Sequence, residues 1–331
     1  MRDTTPTRFA VLRPGLLTTV QDLGRFGYQH FGVPVAGAMD PWALRCANRL
    51  VGNQDCEAAL EITILGPELR FERRALVALT GGDFSASLDG VTVPFWCAFE
   101  IPAGGILTIG ERRTGARMYL AIAGGLAIQP TLGSRSTHLR TGMGGFDGRA
   151  LRTGDTLESG PTTPSAWQRI GHVLPTGLRL AYTRSPILRV VLGPQAEAFR
   201  SDTIDVLLRE RYAVSQDSDR MGYRLSGTPL PHRGGPDIVS DATPIGSIQV
   251  PASQQPILLM ADRQTTGGYP KIAVVISSDI PLAAQLMPGD TVGFAAVGVE
   301  EARRRLRERV RELDEVLPPV PASPVPDRRD P

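Results

Sequence analysis

The sequence predicts a mainly β protein with a few short helices. Glycine and proline supply 64 of the 331 residues, about 19% against roughly 12% in an average domain, and such an excess favours turns over long helices. Short runs rich in Val, Ile and Leu recur between turn residues at roughly 8 to 12 residue intervals, the spacing of a barrel or sandwich. Only two stretches keep a helical apolar stripe.

After a polar leader, Phe9 to Leu12 reads as a strand, and the glycine-rich stretch Gly15 to Met39, lacking a helical period, reads as a long structured loop. Asp40 then caps a helix expected over 41–51: Pro41 takes its first position, Ala43, Leu44, Ala47, Leu50 and Val51 form one stripe, and Gly52 ends it. Further strands are expected at Ile62 to Leu65, Ala75 to Leu79, Val91 to Val93, Ile106 to Ile109 and Met118 to Ile122. Ser159 to Gly177, rich in Pro, Gly, Ser and Thr, reads as a linker, and strand-like text resumes at Leu178 and at Ile187 to Leu192. An arginine- and glutamate-rich amphipathic helix closes the chain at 299–317, followed by a proline-rich stretch expected to be disordered. The division is therefore 1–176, 177–297, a helix at 298–317 and a tail at 318–331, which suits two domains in 331 residues. Leu-Gly-Pro at 65 and 192, Ile-Pro-Ala at 101 with Val-Pro-Ala at 250, and Gly-Asp-Thr at 154 and 289 recur in the same order. The two units thus read either as related barrels or as sharing three tripeptides by coincidence.

Composition narrows the chemistry. Lys+Arg 36 against Asp+Glu 34 leaves a net charge of +2, so no strong field marks a nucleic-acid or membrane surface. Thirty-five of those cations are arginine and only Lys271 is lysine, which excludes chemistry needing several lysines. Three cysteines without a Cys-x-x-Cys pair suggest neither a disulfide framework nor a zinc knuckle, and a reducing cytoplasm fits them. No phosphate-loop, zinc-protease or serine-hydrolase motif occurs, Thr141 to Gly148 misses the dinucleotide spacing, and no histidine pair has metal spacing. No metal is expected.

Four polar blocks remain as candidates. In the first, Gln21, Asp22 and Arg25 stand among glycines at 24 and 27 whose freed amides suit an anion, and Asp22 and Arg25 lie close enough to pair, around that anion or simply within the loop. In the second, Ser134, Arg135, Ser136 and Thr137 emerge beyond an apolar strand, suited to an anionic oxygen or to a capped turn. The third carries Asp219 and Arg220; the fourth carries Asp262, Arg263, Gln264, Thr265, Thr266 and Tyr269. Asp22, Arg25, Arg220, Asp262 and Arg263 are the candidate catalytic residues. Gln21, Ser134, Arg135, Ser136, Thr137, Gln249, Gln264, Thr265, Thr266 and Tyr269 are the candidate substrate contacts. A set rich in Asp, Arg, Gln and Thr favours polarising amide or carboxylate groups over covalent catalysis.

These blocks, written Thr18-Thr-Val-Gln-Asp-Leu-Gly-Arg25, Gly37-Ala-Met-Asp40, Leu132-Gly-Ser-Arg-Ser-Thr137, Asp219-Arg-Met-Gly222 and Asp262-Arg-Gln-Thr-Thr-Gly-Gly-Tyr-Pro270, resemble a known family over about residues 9 to 297. It comprises the C subunit of prokaryotic 5-oxoprolinase, allophanate hydrolase subunit 2, the biotin-dependent carboxyltransferase subdomain and the antagonist of a sporulation kinase inhibitor. Ala36 stands where Ser is expected and Gly82 where Ala is common. The resemblance implies two cyclophilin-like β-barrels, direct partnership with the B subunit of 5-oxoprolinase, and an A subunit that completes the enzyme. It implies ATP-driven hydrolysis of 5-oxo-L-proline to L-glutamate, and leaves open which subunit holds ATP. Two other readings stand beside it: the carboxyltransferase part of a biotin-dependent urea or amide carboxylase, and a regulatory subunit that binds without chemistry.

Overall fold

The computed structural model describes residues 4–320. All but the first three residues of the expected disordered tail at 318–331 lie outside them. The N-terminal unit contains β1 (Arg8–Arg13), β2 (Leu17–Gln21), α1 (Pro41–Leu50), β3 (Ala59–Thr63), β4 (Glu68–Phe71), β5 (Ala75–Leu88), β6 (Val91–Thr92), β7 (Ala98–Ile101), β8 (Ile106–Ile122) and β9 (Thr156–Glu158). The C-terminal unit contains β10 (Ile187–Leu192), α2 (Ser201–Arg209), β11 (Tyr212–Val214), β12 (Gly222–Ser226), β13 (Asp241–Ala242), β14 (Ser247–Gln249), β15 (Ile257–Leu259), β16 (Thr266–Gly267), β17 (Lys271–Val275), α3 (Ile280–Ala283) and β18 (Thr291–Ala296); α4 (Val299–Val316) follows. The mainly β expectation is met.

The first unit is a nine-stranded sheet along β2-β3-β8-β4-β1-β9, with β5 added beside β8 and β6 and β7 beside β5. The second closes into a barrel, β10-β17-β14-β15-β12-β11-β18, and β13 and β16 form a separate ladder. The Gly-Asp-Thr echo has a structural counterpart. Val11 N–H donates to the Asp155 carbonyl at 2.8 Å and Gly154 N–H to the Val11 carbonyl at 2.9 Å, while Val214, Asp290 and Gly289 repeat both bonds at 2.8 and 2.9 Å.

Burial explains the strand text. In β5, Val77 and Leu79 enter the core inside the first sheet whereas Leu76 and Ala78 pack under α1, so both faces are covered and the apolar run is continuous. β8 does the same with Met118, Leu120 and Ile122 on one face and Tyr119 and Ala121 on the other. Two expectations need correction here. The runs at 106–109 and 118–122 are one 17-residue strand, because the polar stretch between them, partly exposed at Glu111 to Thr114, pairs with the second half of β5. Likewise Leu17–Gln21, read as loop, is β2, paired in register with β3 through Leu17 to Thr63 and Gln21 to Ala59. β4, β7, β9 and β11 to β18 carry no strand reading in the sequence, and the strand-like text at Leu178 is instead the end of a 3-10 turn over Thr176–Leu178.

Asp40 caps α1 as expected: its Oδ1 accepts from Ala43 N–H at 2.8 Å. The opposite face of α1 receives α4 through Leu313 and Leu317, while Arg49 binds Asp314 at 2.5 Å and the Leu317 carbonyl at 2.9 Å. The C-terminal helix therefore docks on its own chain. The segment expected to link the units is packed too, with Ala166, Trp167 and Leu174 in the same cluster as α1. No helix among the described residues is long and apolar enough to cross a membrane.

Candidate functional site

The first two blocks meet. Asp22 follows β2, and its carboxylate accepts from Ser134 Oγ at 2.7 Å, from Ser136 Oγ, from Arg135 N–H at 2.5 Å and from Gly24 N–H at 2.8 Å. Gln21 Nε2 donates to the Thr137 carbonyl at 3.1 Å, and Thr137 N–H and Oγ1 both donate to the Val20 carbonyl at 2.9 Å. The expected pairing of Asp22 with Arg25 does not form. The chain is a turn there, not a helix, so Asp22 folds back on Gly24 and the Arg25 guanidinium runs to the Ser136 carbonyl at 2.6 Å. Arg135 likewise turns away: its Nε donates to the Ile128 carbonyl at 2.8 Å and its Nη1 lies 3.7 Å from Glu57. Only its backbone serves Asp22.

The third and fourth blocks meet across the barrel wall. Arg220 Nε lies 2.9 Å from Asp262 Oδ2 and its Nη2 3.1 Å from Oδ1, a bidentate fork. The same guanidinium crosses to the N-terminal unit, where it binds Glu61 and donates to the Gly37 carbonyl at 2.6 Å. Burial would lower the Arg220 pKa, but Asp262 and Glu61 outweigh it and raise it.

The remaining fourth-block residues gather around the β13–β16 ladder. Gln264 Nε2 donates to Gln249 Oε1 at 3.2 Å, and Gln249 Nε2 to the Tyr269 carbonyl at 3.3 Å. The Thr265 carbonyl accepts from Thr243 N–H at 3.1 Å, while Thr266 pairs with Ala242. Arg263 Nε donates to the Thr243 carbonyl at 2.7 Å, and burial pushes its pKa down to about 10. The nearby Lys271 is buried, with Nζ 2.8 Å from Asp241.

Two side chains join the groups electrostatically. Burial lowers Arg25, against the raising effect of Asp22 and Asp262. Burial also lowers His138, which Asp262 raises while Arg25 and Arg220 lower it further. Asp262 therefore lies within range of both the first-unit cluster and Arg220. Loops around residues 22, 135, 220 and 262 converge on one seam.

A cavity of about 640 Å³ opens there, lined from the first unit by Thr63, Ile64, Arg117 and Arg140 and from the second by Asp219, Arg220, Asp262 and Met287. That volume suits a small molecule. Ile64 holds φ +66°, an outlier for a β-branched residue. Of the predicted catalytic residues, Arg220 and Asp262 line this cavity, whereas Asp22, Arg25 and Arg263 do not.

Sequence reasoning missed the polar layer between the units. Glu61, sealed inside β3, accepts from Met39 N–H at 2.8 Å and Tyr119 Oη at 2.6 Å besides binding Arg220. Its signal was a lone acid in an apolar strand. Asp40 is also sealed, accepting from Tyr182 Oη at 2.8 Å and Gln285 Nε2 at 2.9 Å, and burial pushes its pKa up to about 6. Gln285 Oε1 in turn accepts from Ala116 and Arg117 N–H, each at 2.9 Å. Burial, with Glu61 and Asp40 adding to it, raises Tyr119 well above an ordinary phenol.

The sequence pattern of the carboxyltransferase domain, subdomain A and B, matches residues 31–296. A protein of Haemophilus influenzae named as the C subunit of 5-oxoprolinase is 37% identical over 299 residues, covering 90% of this chain and 94% of that one. Its namesake in Escherichia coli is 38% identical over 309 residues, covering 92% and 96%. Among solved structures, urea amidolyase of K. lactis superposes with a TM-score of 0.87 at 30% identity, over 99% of this chain and 21% of that enzyme. The chain thus spans about a fifth of the amidolyase and nearly all of the two 5-oxoprolinase proteins.

Proposed function

Because the chain belongs to the carboxyltransferase domain A and B family, we propose that it acts as the C subunit of an ATP-dependent 5-oxoprolinase. In this reading the complex hydrolyses 5-oxo-L-proline to L-glutamate in the cytoplasm, with the B subunit in direct contact and the A subunit present to complete the enzyme. The observation that carries this reading is the end-to-end match, 94% and 96% of two proteins named as 5-oxoprolinase C subunits. Three free cysteines suit the reducing compartment.

A lactam carbonyl is a poor electrophile. In the proposed reaction its oxygen attacks the γ-phosphorus of ATP and ADP leaves. Water adds to the activated carbon, the C–N bond breaks to give a γ-acyl phosphate, and a second water releases glutamate and phosphate. The cavity walls supply fixed charge for this sequence. Arg220 and Asp262 face the substrate, and Asp22, Arg25 and the two serines position the loops behind them. Because Arg220 is already bound by two carboxylates, it is a poor cradle for a triphosphate.

The fit to urea amidolyase at a TM-score of 0.87 favours a second reading, the carboxyltransferase component of a biotin-dependent urea or amide carboxylase, with biotin carried in trans. Co-purification from the native host, followed by assay of the chain alone and of the recovered complex, separates the two. ATP-dependent glutamate release from 5-oxoproline without biotin, by the complex and not by the chain, is the expected result. Biotin-dependent carboxylation of urea would replace this reading, and binding without turnover in either assay would leave a regulatory role.

A further inference from the structure

Four arginines are buried among the described residues: Arg25, Arg49, Arg117 and Arg220. Arg49 and Arg220 each bind two carboxylates, Asp55 with Asp314 and Glu61 with Asp262. Arg25 donates to backbone carbonyls, has Asp22 and Asp262 in electrostatic range, and is not part of the cavity wall. Arg25, whose buried Nη1 has no hydrogen-bond partner, and Arg117 are the two without an ion pair, and of these only Arg117 is in the cavity wall. It lines the cavity, yet its Nη1 reaches only the Tyr223 hydroxyl, at 3.0 Å, and the Ala284 carbonyl, while its buried Nε has no hydrogen-bond partner. No carboxylate among the described residues forms an ion pair with it.

A buried cation without a counter-charge is costly, and at a cavity wall the missing anion is what a ligand can bring. Arg117 is the one buried cation of the lining without an ion pair. Arg220 and Asp262 hold each other, and Asp219 accepts from Met221 N–H at 2.8 Å and Gly222 N–H at 3.3 Å. Arg140 is exposed beside Met221. We propose that Arg117 is the anion-binding residue of this cavity and receives the carboxylate of a small substrate. This rests on the reading of the cavity as the site for a cyclic amide acid. In that setting the lactam ring extends towards Arg220 and Asp262 while Arg117 fixes its far end. Arg117 is thereby the residue that distinguishes a lactam acid from a plain lactam. The guanidinium is preorganised for this task by Tyr223 and Ala284 of the second unit, although Arg117 itself belongs to β8 of the first.

The test compares 5-oxo-L-proline with 2-pyrrolidinone, the same ring without the carboxylate. Kinetics are measured on the complex and calorimetric binding on the full chain and complex. Arg117→Gln is expected to raise KM and Kd for 5-oxoproline roughly 30- to 5000-fold, the range for removing one side of a buried charge pair. Values for 2-pyrrolidinone and kcat should stay within about threefold. Arg117→Lys should restore part of the loss, and Tyr223→Phe should keep the preference for the acid. Equal weakening of both lactams, or unchanged 5-oxoproline affinity in a folded Arg117→Gln chain, overturns the proposal. So does wild-type protein that binds the two lactams alike. Should Arg117→Gln fail to fold, the Arg117→Lys discrimination ratio decides. If the complex does not hydrolyse 5-oxoproline yet binds it through Arg117, the assignment of this residue stands and the proposed reaction falls.

Discussion

Arg220 of the C-terminal barrel forms a buried ion pair with Glu61 of the N-terminal sheet, while its other edge holds Asp262 of its own unit. One guanidinium therefore ties both halves to the cavity wall. Removing one member of such a group strands the others without water, which costs about 3–5 kcal/mol. Arg220→Ala should lower unfolding free energy by about that much in urea melts; a loss below about 1 kcal/mol would show that the seam contributes little.

Asp40 gives the protein a pH signature. Its folded pKa, about 6, lies above the ordinary 3.8 because burial disfavours the charge. The folded state therefore holds a proton that the unfolded chain has released between those values, and the stability gained from the neutral acid is lost as pH rises from about 4 to 6. At about 1.4 kcal/mol per pH unit the total is about 3 kcal/mol. Asp40→Asn removes this titration, so wild type should lose stability relative to the variant over that window. Parallel curves in urea melts at pH 4 and 7 would contradict it.

Lys271 stands alone among 35 arginines; it is buried, its Nζ pairs with Asp241, and a bulkier forked guanidinium is expected to overpack the position. Lys271→Arg should cost about 1–3 kcal/mol despite keeping the charge. Thermal melts of that variant beside Lys271→Met would show whether size or charge governs the position.

The C-terminal helix presents six arginines on a surface held down by Leu313 and Leu317 against α1. Leu313→Asp places a charge in that contact and should release α4, so trypsin would cut between 303 and 311 many times faster while the barrel stays intact by mass spectrometry. Unchanged cleavage would mean that the docking on α1 does not hold the helix.

The sequence alone carried whatever depends on near neighbours. Asp40-Pro41 with Gly52 bounded α1 to within one residue, because caps and stops are local hydrogen bonds and backbone preferences. Apolar runs announced β5 and the end of β8, since strands covered on both faces admit little else. The four polar blocks were visible, and the family with them. Where the chain bends back to meet itself was not visible. Asp22 and Arg25 are three residues apart yet choose partners more than a hundred positions away, and the polar middle of β8 looks like a turn until β5 lies beside it. Tertiary packing alone decided that Glu61 would answer Arg220 and that Arg117 would line the cavity without an ion pair of its own. Local sequence fixes a residue's backbone cheaply, but the partner of a buried charge is set by which distant segments exclude water around it.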